Sequence, residues 1–221
     1  MEKPILFDFD DTLFSKTEFK KKFNQGLAES CGETPERISD LMSDYIKELR
    51  NSDDFRPNEF TQYLGEKTGK KECFDRFKID NPEMYSSSLF NETIVTLDEL
   101  KKTYDNLGIF TQGFDDFQNT KINGSGIRKF FDEKYIYIGR NKLDPEFLEK
   151  IPEGSTIIDD KKSVVEALKN TGRFTVIWIN RKNDEKMDGV TTIKNLIELT
   201  DLIKAKNSAN IVESKDNYKT E

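Results

Sequence analysis

The chain has 221 residues, of which 34% are hydrophobic and 35% charged, and it carries a formal charge of -7 at pH 7. It contains no histidine, which excludes Ser–His triads, His-ligated zinc and imidazole acid–base chemistry, so catalysis would have to use carboxylates, lysine, hydroxyls or thiols. The acidic balance and the lack of a basic stripe argue against a nucleic-acid partner, and no segment is apolar enough to suggest a signal peptide or a membrane span.

The length admits one large domain or a domain carrying an insertion, and 17 phenylalanines supply enough ring area for a compact core. Cys31 and Cys73 have neither metal-site nor redox-motif spacing, so they are expected to be reduced thiols of a cytoplasmic protein.

In chain order, residues 4–8 read as a buried strand. Phe19, Phe23 and Leu27 mark a helix ended by Gly32, with "FKKKF" at 19–23 contributing its solvated face. A second helix follows over 34–50, with Thr34 as N-cap, Pro35 in the first turn and apolar residues from Ile38 to Leu49 at helical spacing. Pro57 opens a third helix, with Phe60, Tyr63 and Leu64 on one face, and a short fourth is expected near 72–78. Residues 15–88 are thus helical.

From about 91 the pattern alternates. Helix "ETIVTLDELKKTY" leads to a strand at 106–111, helical residues at 125–131 to a strand at 134–139, and "DPEFLEKI" to a strand at 155–159. "SVVEALKNTG" then leads to a strand at 173–180, followed by a short strand at 190–193 and a helix at 195–205. Residues 206–221 have little periodicity and are expected to form a loose tail. The alternation predicts an α/β fold, a doubly wound parallel sheet of Rossmann type with right-handed crossovers. Ligands of such sheets collect beyond the carboxyl ends of the strands, where Asp8, Asp10, Thr111, Asp159 and Asp160 would lie.

Each of these signals has an ordinary alternative when taken singly. "DFDDT" at 8–12 could be a turn or capping cluster, Thr111 in "GIFTQG" a plain strand-end threonine, and Lys142 in "GRNKLDPEF" a surface lysine. The functional readings are a carboxylate site at Asp8 and Asp10, a phosphate cradle of Thr111, Gln112 and Gly113, and a cation at Lys142 for carboxylates and phosphate. Asp159 and Asp160 close an apolar strand, and two adjacent carboxylates there suggest a hard cation such as Mg²⁺. A helix cap explains one of them, not both.

The order Asp-x-Asp-x-Thr, Thr-x-Gly, Lys, Asp-Asp on successive strand ends resembles the haloacid dehalogenase superfamily. "KLDPEF" is similar to that family's Lys-Pro-Asp-Pro-Glu segment, with Leu143 for the proline, and "IIDDKKSVVEALKNTG" is similar to its Gly-Asp-containing segment. Asp160 falls on the metal-binding aspartate, Asp159 replaces a glycine, and Val164 stands where the family has a later acid. The resemblance implies a core domain of 1–14 and 89–205 with an inserted all-helical cap domain over 15–88, whose polar connections near 13–17 and 86–91 suit hinges. It further implies a Mg²⁺-dependent phosphatase for a small phosphorylated metabolite. Asp8 would be the nucleophile, Asp10 the acid–base with a suitably raised or matched pKa, Thr111 and Lys142 the phosphate holders, and Asp8, Asp10 (by its carbonyl), Asp160 and Asp159 the metal set. A phosphomutase or phosphotransferase of the same family, and a phosphoacceptor signalling or scaffold protein, are the alternatives. Substrate identity and oligomeric state have no code in the sequence.

Overall fold

The computed structural model describes residues 3–51 and 54–205 of the chain; the predicted tail at 206–221 lies outside the described residues. Six strands form one parallel sheet: β1 (Ile5–Phe7), β2 (Leu107–Gln112), β3 (Ile136–Gly139), β4 (Thr156–Asp159), β5 (Thr175–Ile179) and β6 (Thr191–Ile193). Their spatial order is β3-β2-β1-β4-β5-β6. β1 is central, with Ile5 and Phe7 facing Leu107 and Ile109 of β2 on one side and Thr156 and Ile158 of β4 on the other. All three of its side chains are buried, as a strand covered on both faces requires. The order reverses at β1, so a crevice opens beyond its carboxyl end, between β1 and β4.

Between β1 and β2 the chain is helical: α1 (Lys16–Cys31), α2 (Pro35–Glu48), α3 (Pro57–Thr68), α4 (Lys71–Asp75), α5 (Pro82–Ser86) and α6 (Thr93–Lys101). The local signals act as predicted. Ser15 and Thr34 accept hydrogen bonds from the backbone N–H of Glu18 and Arg37, and Gly32 takes a left-handed conformation that closes α1. The inward faces of α1 to α3 meet through rings, among them Phe23, Tyr45 and Phe60, with Phe23 and Phe60 fully buried. After β2 come α7 (Asp115–Gly124), α8 (Pro145–Leu148), α9 (Lys162–Asn170) and the helix α10 at 196–205.

Three expectations change. The helix predicted at 125–131 lies ten residues earlier, as α7, and only a 3-10 turn occupies Arg128–Phe130. The buried face of α7 is Gln118, Lys121 and Ile122, so its hydropathy carries little helical period. The connections to the helical block are not loose. Ser15 N–H donates to Ser88 O (2.8 Å) and Phe90 N–H to Leu13 O (3.1 Å), while the Thr93 hydroxyl also donates to Leu13 O (2.8 Å) and Ser88 is fully buried.

Cys31 and Cys73, expected as free thiols, form a disulfide with a Cα–Cα distance of 5.6 Å. Packing of α4 against the end of α1 joins two positions 42 residues apart, a pairing that no local spacing announces. The bridge removes the argument for a reducing compartment, which rested on free thiols. It also closes a long loop of the unfolded chain. Replacing both cysteines by serine should lower stability by about 2–4 kcal/mol in urea unfolding, and the wild-type protein should show no alkylatable thiol before reduction.

Candidate active site

Asp8 follows β1 directly and its N–H still donates to Ile158 O (2.8 Å), so the sheet ladder fixes the first carboxylate beside the end of β4. Asp159, the last residue of β4, is fully buried. Lys142 enters between them from the turn after β3. Its N–H donates to Gln112 Oε1 (3.3 Å), its ammonium lies 5.5 Å from the Phe110 ring centre, and it donates to Asp8 Oδ1 (2.6 Å) and Asp159 Oδ2 (2.5 Å). The other oxygen of Asp159 accepts from Lys161 N–H (2.9 Å). Asp160, half-buried, has no side-chain hydrogen bond or ion pair among the described residues, and its carbonyl accepts from Trp178 Nε1 (2.9 Å). Asp8, Asp159 and Asp160 each offer an oxygen within 4.8 Å of the others.

One ammonium therefore pairs with two of the three carboxylates, and Asp160 has no ion pair among the described residues. Burial pushes the Asp8 carboxyl well above the usual range, and the pull of Lys142 does not offset it. Burial, with the charges of Asp159 and Asp11, raises Asp160 to about 6. Burial works against the Lys142 ammonium too, but Asp8 and Asp159 outweigh it and hold its pKa above the ordinary value. The cluster is short of positive charge.

Asp10 belongs to a second group of charges. Its carboxylate accepts from Lys121 Nζ through both oxygens (2.7 and 2.6 Å) and from Gln118 Nε2 (3.1 Å). The same Gln118 amide donates to Thr111 Oγ1 (3.2 Å) and Gln112 O (2.5 Å). Lys121 is buried, its ammonium 5.0 Å from the Phe117 ring centre and 5.4 Å from that of Phe9. Burial alone would raise Asp10. The charges of Lys121 and Lys16 and the Lys121 and Gln118 hydrogen bonds outweigh it and hold the carboxyl below its usual range. Of the two expectations for Asp10, a raised or a transiently matched pKa, the resting carboxyl does not show the first. Sequence reading missed Gln118 and Lys121, and the available signal was their i, i+3 spacing behind the acidic first turn Asp115-Asp116.

Thr111 is fully buried at the rim. Gly113, expected to offer its N–H to phosphate, already donates that group to Gly139 O (3.0 Å). Its glycine identity follows from packing, because a Cβ there would lie 2.8 Å from the Gln118 amide. Gln112 is engaged through its side chain with Lys142 N–H. Asp11 takes a left-handed φ of 61° and binds Lys16 N–H (3.1 Å) and Nζ (3.1 Å), so the third aspartate anchors the start of α1.

A family model described as haloacid dehalogenase-like hydrolase matches residues 5–155. The glyceraldehyde 3-phosphate phosphatase of Methanocaldococcus jannaschii is 29% identical over 232 aligned positions, spanning 92% of this chain and 98% of that protein. A HAD phosphatase from Thermococcus onnurineus superposes with a TM-score of 0.58 at 23% identity, over 91% of this chain and 98% of its own. The L-2-haloacid dehalogenase of Xanthobacter autotrophicus gives 0.60 at 14% identity, over 93% and 99%. At such identities structural likeness speaks for the fold alone, which here serves both a phosphatase and a dehalogenase.

Removing the shared ammonium tests the charge accounting. Lys142→Met should cost about 3–5 kcal/mol in chelator at pH 7.5, because buried carboxylates lose their partner. Asp8 and Asp160 are raised in the folded protein, so between about pH 6 and 3.8 the folded state binds more protons than the unfolded chain and gains stability as pH falls. Without the lowering pull of Lys142 these carboxyls take up protons more readily in the variant than in the wild type, so the deficit of the variant in urea unfolding should shrink at pH 5.

Proposed function

The chain belongs to the haloacid dehalogenase-like hydrolase family, and from that premise we propose that it is a Mg²⁺-dependent phosphatase of a small phosphorylated metabolite, acting through an aspartyl-phosphate on Asp8. One observation carries the reading. Asp8 and Asp159 share the buried Lys142 beside an unpaired Asp160, and a second carboxylate, Asp10, lies two positions on. That second aspartate favours phosphoryl chemistry over dehalogenation, since the dehalogenases of the family resemble this motif without it.

The donor set fits a divalent metal. Three carboxylate oxygens lie within 4.8 Å of one another, and the raised pKa values of Asp8 and Asp160 express a missing positive charge. Asp159 already binds Lys142 and Lys161 N–H, so Asp8 and Asp160 would be the carboxylate holders, and the family resemblance adds the Asp10 carbonyl. Bound there, Mg²⁺ would remove the repulsion between a carboxylate nucleophile and a phosphate dianion.

The chain's own groups do the rest. Lys142 and the Thr111 hydroxyl hold phosphoryl oxygens, and Asp159 keeps Lys142 in place. An Asp8 oxygen forms a bond to phosphorus while the bond to the leaving oxygen breaks, and Asp10 delivers a proton to that oxygen. Asp10 then takes a proton from water, which attacks phosphorus, frees inorganic phosphate and restores Asp8. With Lys121 beside it Asp10 is ionised, as the second step needs. An arriving phosphate is a like charge and raises its pKa toward the form that the first step needs. Residues 15–88 serve as a cap over this chemistry, excluding water while the ester reacts.

Chelator should abolish hydrolysis of 4-nitrophenyl phosphate and Mg²⁺ should restore it; full activity in excess EDTA would remove the metal from the mechanism. Asp8→Asn should eliminate turnover and the phosphoenzyme. Asp10→Asn should slow turnover by roughly 10²–10⁴-fold, and borohydride trapping should place the adduct on Asp8.

The adjacent aspartates are separable by calorimetry. Asp160→Ala should weaken Mg²⁺ binding more than Asp159→Ala does. Because Asp160 must be ionised to bind, wild-type affinity should fall as pH drops through about 6. The opposite order of the two variants would make Asp159 the ligand.

A further inference from the structure

A cavity of about 250 Å³ opens directly on Asp10, Gln118 and Lys121, between α1, α2 and the turn that leads into α7. Most of its walls are apolar, Phe19 from α1, Met42 and Ile46 from α2, Phe55, Phe114 and Phe117, and Lys16 and Lys20 of α1 and Gln112 complete the lining. The polar groups at its floor are already engaged, Lys121 with Asp10 and the Gln118 amide N–H groups with Asp10, Thr111 and Gln112. Gln118 Oε1 is the buried acceptor on this lining without a partner among the described residues.

The walls are also held in place. Phe114 lies between the Arg56 guanidinium (3.7 Å) and that of Arg140 (3.6 Å), and Arg140 pairs with Asp54 of the helical block. Phe117 packs on Phe19 (6.2 Å between centroids) and on Phe55 (6.2 Å). An aromatic surface left open next to catalytic carboxylates is suited to what departs from phosphorus.

We propose that the substrate is a phosphate monoester whose alcohol is apolar and about the size of one ring with a short linker. The inference rests on the phosphatase reading and narrows it. An apolar cavity near 150 Å³ suffices for benzene, so about 250 Å³ takes a ring and a methylene. A triose or glycerol leaving group would instead set most of its hydroxyls against phenyl and thioether walls, with Gln118 Oε1 and the Lys16 and Lys20 side chains as polar partners, and would give up water hydrogen bonds. The reaction class that supplies the substrate is therefore phosphorylation of a hydrophobic primary alcohol, and the product is that alcohol.

The test compares benzyl phosphate with glyceraldehyde 3-phosphate in saturating Mg²⁺; both release an aliphatic alcohol that Asp10 protonates, so the ratio reports the pocket. Benzyl phosphate should have a kcat/KM at least about tenfold higher, and Ile46→Asn, at a half-buried wall position, should lower that ratio. Preference for glyceraldehyde 3-phosphate would overturn the apolar class while leaving the phosphatase intact. Hydrolysis of neither ester, nor of 4-nitrophenyl phosphate, would overturn the phosphatase reading itself. Calorimetry with the non-hydrolysable benzylphosphonate and methylphosphonate reads the pocket without turnover or any variant. Tighter binding of benzylphosphonate supports the class, and equal affinities would overturn it.

Discussion

Two buried ammonium groups divide the negative charge at the centre of the sheet. Lys142 takes Asp8 and Asp159, and Lys121 takes Asp10. Without them the end of β1 would drive carboxylates into a space from which water is largely excluded, at a cost no apolar packing nearby could offset. The two lysines come from neighbouring segments of the chain, one from α7 and the other from the turn after the edge strand β3. Much of the surrounding geometry serves to bring them in. Gln112 steadies the backbone at Lys142, and three aromatic rings surround the Lys121 ammonium.

The division also sorts the acids by availability. Asp159 has both oxygens committed, Asp8 has one oxygen on Lys142, and Asp160 is unpaired among the described residues. Four aspartates that look alike in composition thus occupy different electrostatic states. Asp11, adjacent to them, ties Lys16 to the turn after β1 and acts on Asp160 only through its charge. Gln112 and Gln118 join the two charge groups, since the Gln118 amide donates to Asp10 and to Gln112 O while the Gln112 side chain accepts from Lys142 N–H.

The strand ends were legible because short apolar runs, "ILF", "GIFT" and "TIID", stop at polar residues, and a sheet buried on both faces demands that pattern. Thr34 before Pro35, and Gly32 after α1, announced helix boundaries through chemistry that acts within a few residues. What stayed hidden was decided at long range. α7 turns Gln118 and Lys121 inward to serve the site, so the residues that matter there are the ones that erase its hydrophobic period. Cys31 and Cys73 meet only because α4 folds back on α1. The resemblance set Asp160 apart from Asp159 as the metal-binding position, but which of them meets Lys142 stayed hidden, because it depends on the turn after the third strand.

The helical block leaves the sheet after Leu13 and returns at Phe90, and these two crossings are hydrogen-bonded side by side, with Arg181 holding Thr12 O and Glu92 behind them. A body attached through two adjacent, mutually paired segments has little freedom to slide or to twist independently at each end. Any movement of the block against the sheet would therefore be a swing about the line that joins the crossings. The wall residues of α2 would then sweep a larger arc than Phe19 at the start of α1, while Asp10 and Asp11, next to the crossing at Leu13, would stay almost still.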